Sequence, residues 1–218
     1  MSDVEIDEGY TKFAVDWTDR SPLLHSSIAE LERWRRPLYQ AGLIGHYPDA
    51  NIGYGNLSVR APGKGLFIVS GTQTGHLPHT DRRHYALVTK ADIAENSVSC
   101  TGATQASSES LTHAAIYELD ASINAVVHVH SESLWRKMKY SVPTTDADVA
   151  YGTPEMAREF KRLYRQTRFR DLGVAVMAGH DAGLVSIGGS VEEAAQRILA
   201  LHAELERPSR GGSASQGD

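Results

Sequence analysis

Leu24, Ile28, Leu31, Trp34 and Leu38 recur at three- and four-residue steps, which predicts an amphipathic helix over residues 21–40 that stops near Gly42. From residue 51 the pattern shortens. GNLSVRA (55–61) and GLFIVSG (65–71) are β-type runs joined by Pro62-Gly63, a turn signal, and predict a hairpin. Residues 84–89 read as a third strand, and the Ser-, Thr-, Gly- and Gln-rich stretch 99–108 as a loop entering a helix over 108–120. AVVHVH (125–130) reads as a strand. Thr153-Pro154 opens a helix to 167, with Thr as N-cap and Pro in the first turn. Residues 173–179 and 183–188 read as two apolar strands around a polar turn, and Ser190 with Glu193 forms a capping box for a helix to 206. Residues 1–20 are polar and acidic and predict a flexible arm, while 208–218 predict a disordered tail. The remaining span, 21–207, reads as one α/β domain with a mixed sheet, since hairpins come early and αβ alternation late.

Composition narrows the function. With 41% hydrophobic and 22% charged residues the chain is neither disordered nor fibrous. A net charge of −5 without a basic block argues against nucleic acid. Cys100 is the single cysteine, which excludes an internal disulfide, a Cys-rich zinc finger and a CxxC redox site. Without an 18-residue apolar run or a basic leader, neither a membrane partner nor export is expected; the expected compartment is the cytoplasm. Cys100 is expected to be structural, because no basic partner stands beside it in sequence.

The ten histidines carry the chemistry. His128 and His130 stand two apart on one strand, so both imidazoles leave the same face. Two ligands do not make a site, and a pair of ordinary core or surface histidines is the competing reading. Glu109 opens the preceding helix, where the positive dipole end favours a carboxylate, and His180 interrupts the apolar run VAVMAGHDAGLVSIG. Three neutral imidazoles and a carboxylate are the donor set of a catalytic Zn²⁺ or a similar divalent ion. His113, four residues after Glu109, reads as an ordinary helix-face residue or as a brace for that carboxylate.

These residues resemble the class II aldolase/adducin family, from about residue 51 to 206. The resemblance is carried by GNLSVR (55–60), SGTQTG (70–75), Ser107-Ser108-Glu109, THAAIY (112–117), AVVHVH, Gly183-Leu184 and the Glu192-Glu193-Ala helix. Glu109 precedes His128 by nineteen positions, as the acidic residue does in the family's aldolases. The resemblance implies a single three-layer α/β domain whose central mixed, largely antiparallel sheet is flanked by helices. It assigns His128, His130 and His180 to the metal and makes Glu109 the proton shuttle. Asn56, Ser107 and Ser108, with backbone N–H groups of Gly71 and Thr72, would hold the substrate phosphate. A neutral cradle of this kind binds a dianion without Lys or Arg, although Asn, Ser and Gly are also ordinary turn residues. The implied reaction is reversible aldol cleavage of a small sugar phosphate through a metal-stabilised enediolate, in a homotetramer with shared active sites.

The chain departs from the pattern in three places. Asp181 and Ala182 separate His180 from Gly183, where the aldolases have His-Gly-Leu, which makes Asp181 a substitute ligand behind His180. No tyrosine follows Tyr164, so the C-terminal tyrosine that serves the aldolases as proton donor is missing. The segment TTDADVAYG (144–152) is similar to the family's sugar-phosphate epimerases, which makes Asp148 and Tyr151 the replacement acid/base candidates; a polar loop is the alternative. Sugar-phosphate 4-epimerase is therefore the second reading. A metal-dependent decarboxylase or dehydratase on a 2-hydroxy acid and a non-catalytic adducin-like scaffold are the others.

Overall fold

The computed structural model describes residues 10–49 and 52–207. In chain order its elements are β1 (Ala14–Asp19), α1 (His25–Gln40), β2 (Gly45–Tyr47), β3 (Ile52–Tyr54), β4 (Asn56–Arg60), β5 (Phe67–Ser70), β6 (Tyr85–Asp92) and β7 (Ser97–Gly102). There follow α2 (Ser110–Tyr117), β8 (Ala125–His130), α3 (Glu132–Met138), α4 (Pro154–Gln166), α5 (Phe169–Leu172), β9 (Val174–Val176), β10 (Gly183–Gly188) and α6 (Val191–Glu206). Among the described residues one eight-stranded sheet runs β1-β7-β6-β5-β4-β8-β10-β9, with β2 and β3 forming a separate hairpin. The β1–β7 pair is parallel and all other neighbours in the sheet are antiparallel. Helices cover both faces, so the domain has three layers, as expected. No helix among the described residues is long and apolar enough to cross a membrane.

Strand β8 lies inside the sheet and every residue of it is buried, which is why AVVHVH lacks a polar face. Alternation divides it. Ala125, Val127 and Val129 join the core under α1 and α6 with Leu57, Ile68 and Leu184. Val126 points to the opposite core, shared with α2, α4 and α5 through Leu111, Phe160 and Phe169. His128 and His130 have the parity of Val126 and therefore face the α2 side. Asn56 pairs with His128 and Ser58 with Val126, so both project to that same face.

Several local expectations change. Helix α1 begins at His25, and Leu24 is its N-cap with 70% of its surface exposed, so the apolar stripe starts one turn later than the periodicity predicts. Strand β7 occupies the start of the expected 99–108 loop. Its inward residues Val98, Cys100 and Gly102 alternate with Ser and Thr, and their small size hides a period of two. Cys100 is buried there and burial raises its thiol pKa, in keeping with a structural role. Part of the expected acidic arm is edge strand β1, in which only Val15 and Trp17 pack on the core and the Trp17 indole donates to the Gly102 carbonyl at 3.0 Å. Residues 1–9 of that arm, Asn51 and the expected tail 208–218 lie outside the described residues. The Ser190–Glu193 box is half formed. Ser190 Oγ accepts from the Glu193 N–H at 3.1 Å, while the Glu193 carboxylate takes the Gly189 N–H instead, at 2.8 Å.

Candidate metal centre

Strand β8 delivers two imidazoles and the loop between β9 and β10 delivers a third. His130 Nε2 lies 3.1 Å from both His128 Nε2 and His180 Nε2, and the three nitrogens all lie within 4.8 Å of one another. All three rings are buried. His128 Nδ1 is 3.1 Å from the Leu184 carbonyl, which can only accept, so the proton sits on Nδ1 and Nε2 keeps its lone pair. His130 Nδ1 meets the Tyr47 hydroxyl at 3.1 Å. Outer hydrogen bonds of this kind orient metal-ligating imidazoles. Burial lowers the His128 pKa to about 4 and holds His130 and His180 well below the ordinary value. The rings are neutral at pH 7, so their lone pairs are ready for a cation without proton release. Three converging neutral nitrogens fit a divalent transition metal.

Tight backbone contacts set the His180 loop. A Cβ on Gly179 would stand 2.2 Å from the Val149 carbonyl oxygen, and one on Gly183 would stand 2.7 Å from His180 Cδ2. Only glycine permits these approaches. The two residues inserted before Gly183 are absorbed by Ala182, whose φ is 61°. His180 thereby reaches the cluster, while Asp181 is exposed at the rim of the cleft beside it.

Glu109 is the N-cap residue of α2, yet its carboxylate does not cap its own helix. It is 1% exposed, and Oε1 lies 3.5 Å from His180 Nε2. Because His180 is neutral, this contact sets a carboxylate against an imidazole and is no ion pair. Ser107 takes over the turn by accepting the Glu109 N–H on Oγ at 3.2 Å. Ser107, Ser108 and Asn56 are buried nearby in the fold, and Asn56 Oδ1 has no hydrogen-bond partner among the described residues.

The Gly71 and Thr72 N–H groups, expected to face a phosphate, are committed elsewhere. They donate to the His84 carbonyl at 2.8 Å and the Gln105 carbonyl at 3.0 Å. A loop read as an anion cradle is thus fastened to its neighbours by the groups that an anion would need. Asp148 is exposed and its N–H donates to Asp146 Oδ1; no described contact brings it to the histidines. Tyr151 does reach them, with its ring centroid 4.4 Å from that of His180. Its hydroxyl, however, donates to the Tyr10 carbonyl at 3.0 Å and accepts the Tyr10 N–H at 3.1 Å, so it is not poised as a proton donor. Nor does His113 brace Glu109. Its Nδ1 bonds Ser58 Oγ at 2.7 Å, and Ser58 Oγ also meets the Tyr117 hydroxyl at 2.7 Å.

A cleft of about 450 Å³ opens beside His130, lined by Tyr47, Tyr54, Trp135, Arg136 and Asp181. Tyr54 stacks on His130 with ring centroids 5.3 Å apart. Tyr47 and Tyr54 come from the β2–β3 hairpin, more than seventy positions before His130. Nothing in their local sequence marks them; only the tertiary packing brings them to the site.

Residues 43–206 match the class II aldolase and adducin N-terminal domain. The fold is similar to that of YgbL from Escherichia coli, a candidate aldolase, epimerase or decarboxylase, with a TM-score of 0.62 at 20% identity over 87% of this chain and 95% of that one. It is also similar to L-fuculose-1-phosphate aldolase from Thermus thermophilus, with a TM-score of 0.59 at 20% identity over 81% and 89% of the two chains. A sugar-phosphate aldolase from Thermotoga maritima gives a TM-score of 0.59 at 18% identity over 85% and 98%. At such identities the likeness speaks for the fold alone. The family match spans most of the chain, and the three-histidine face lies within it: this protein belongs to the class II aldolase and adducin family.

Proposed function

We propose that the protein is a divalent-metal-dependent lyase that cleaves a small phosphorylated ketose by a reversible retro-aldol reaction. The observation that carries this reading is the buried Glu109 carboxylate 3.5 Å from His180 Nε2, on the rim of three converging neutral imidazoles. His128, His130 and His180 would hold the ion, with zinc the best match to the donor set. Once bound, it would supply Lewis acidity at the substrate carbonyl, worth most where negative charge develops.

The chain's own groups do the rest. Glu109 takes the proton of the hydroxyl on the carbon that becomes the aldehyde. The adjacent C–C bond then breaks: its electron pair forms a C=C bond to the carbonyl carbon while the carbonyl π pair moves onto oxygen, and the aldehyde leaves. Glu109 returns the proton to the remaining three-carbon fragment, so atoms and charge balance. A carboxylate held out of water acts without first shedding a hydration shell. The Asn56 amide and the Ser107 and Ser108 hydroxyls would bind the phosphate. The Gly71 and Thr72 N–H groups drop out of that role, because they already serve the backbone.

We extend the reading to a cytoplasmic homotetramer. Exposed Asp148 would then serve the site of another copy. The test is to incubate zinc-loaded protein with a panel of ketose phosphates and assay for dihydroxyacetone phosphate and aldehyde. Epimers without fragments would move the reaction to the epimerase. Neither product, with tight binding of a non-phosphorylated 2-hydroxy acid, would replace both by a decarboxylase or dehydratase. A chain that holds no stoichiometric divalent metal would favour the scaffold.

A further inference from the structure

The three histidines are not held equally. His128 and His130 stand on β8, which is hydrogen-bonded to strands on both sides. His180 stands on the loop between β9 and β10, so side packing must fix its ring. Besides its two fellow ligands, whose centroids lie 5.2 and 4.7 Å away, that ring meets the ring of Tyr151 at 4.4 Å.

Tyr151 is itself fixed from outside. It is fully buried, and its hydroxyl makes a reciprocal pair of hydrogen bonds with the Tyr10 backbone, across 141 positions of sequence. The Lys12 ammonium lies 4.1 Å from the centroid of its ring. Asn96 clamps the same segment, donating from Nδ2 to the Lys12 carbonyl at 2.8 Å and accepting the Ala14 N–H on its backbone carbonyl at 2.9 Å. The segment then runs into β1, which is paired with β7. On the inner side, Thr145 Oγ1 accepts the Ala178 N–H at 2.9 Å, and the Val149 carbonyl crowds Gly179. Residues 10–12, 144–151 and 177–183 are thus stacked in sequence onto the third imidazole.

We propose that the N-terminal segment bearing Tyr10 and Lys12 is a strap that positions His180 for the metal, acting through Tyr151. The inference rests on the metal-centre reading above. Tyr151 is then a positioning residue: its hydroxyl is spent on the strap and its ring bears on the ligand.

The test measures zinc Kd by chelator competition for the wild type and Tyr151→Phe, each with and without His180→Ala. Tyr151→Phe, which cuts the strap and keeps the ring on His180, should weaken zinc several-fold, less than the about 10–100-fold that follows loss of a direct hydrogen-bond partner of a ligand. In the His180→Ala background the same change should cost less than about twofold, because the pair acts as one unit. The visible spectrum of the cobalt-substituted protein should shift in Tyr151→Phe. Tyr164→Phe, which loses a hydrogen bond to Asp120 elsewhere, should leave both readouts alone. Lys12→Met, which keeps Tyr151 in place, should weaken zinc in the same direction by a smaller factor, and it decides the matter if Tyr151→Phe fails to fold. In metal-free protein, amides of residues 177–183 should exchange faster in Tyr151→Phe. Unchanged zinc affinity, an equal loss in both backgrounds, or unchanged loop exchange each overturns the strap. A wild-type chain that binds no divalent ion would sink the metal-centre reading by itself, and the exchange measurement would then decide the strap alone.

Discussion

The Oε1 atom of Glu109 lies 3.5 Å from Nε2 of His180, although the two residues stand on opposite sides of strand β8 in sequence and both are buried. The carboxylate comes from the N-terminus of a helix whose amides it does not cap, and the imidazole from a glycine-bounded loop. Their meeting sets a third imidazole and a buried carboxylate beside the histidine pair on the strand.

If Glu109 moves the proton, Glu109→Gln should lower kcat by about 10²–10⁴-fold, the usual loss for a positioned acid or base. Bound metal should remain stoichiometric. Steady-state cleavage assays beside metal analysis of the same preparation check both halves, and a kcat within a few-fold of wild type would remove Glu109 from the chemistry.

Removing a strand ligand should be decisive for the ion. His128→Ala leaves two imidazoles and opens the Leu184 carbonyl, and the purified variant should retain no stoichiometric divalent metal. Full occupancy would mean that the ion sits on other residues.

Ser58 Oγ is shared by His113 and Tyr117 beneath the site, in fully buried surroundings. Ser58→Ala strands two polar groups at once and should lower unfolding free energy by about 1–3 kcal/mol for each. Denaturant titration reads this directly, and an unchanged midpoint would show that the network contributes nothing.

Burial lowers the His113 pKa to about 3, with nearby His128 adding to the effect. The unfolded chain takes up this proton as pH falls below about 6.5, while the folded chain resists it, so stability is full above that pH and declines as pH drops toward 3. In His113→Gln the decline between pH 6 and 4 should be shallower by about 1.4 kcal/mol per pH unit. Midpoints taken at half-unit intervals on metal-free protein test the slope, and parallel curves would contradict it.

Light scattering at micromolar concentration should report a tetramer. A monomer would leave exposed Asp148 without any site to serve and would count against the shared active centre.

Much of this was legible in the residues themselves. AVVHVH declared a strand, and a period of two put His128 and His130 on one face whatever the rest of the chain did, because side-chain parity is a property of the strand alone. Thr153-Pro154 and Ser190 marked their helix starts for the same local reason, a side-chain oxygen accepting a backbone N–H two or three residues on. The nineteen-residue interval from Glu109 to His128, together with the motifs around it, pointed to the family, and the described fold agrees. What remained hidden depends on partners far away in sequence. Whether the Gly71 and Thr72 amides face an anion or a neighbouring carbonyl, whether Tyr151 donates to a substrate or to Tyr10, and whether Tyr47 touches His130 are decided by which segments pack together. An acidic stretch such as AVDWTD becomes a strand only because β7 offers an open edge for it to pair with. Local sequence sets the direction in which a side chain points, and hydrogen-bond partners supplied by tertiary packing determine what it can then do.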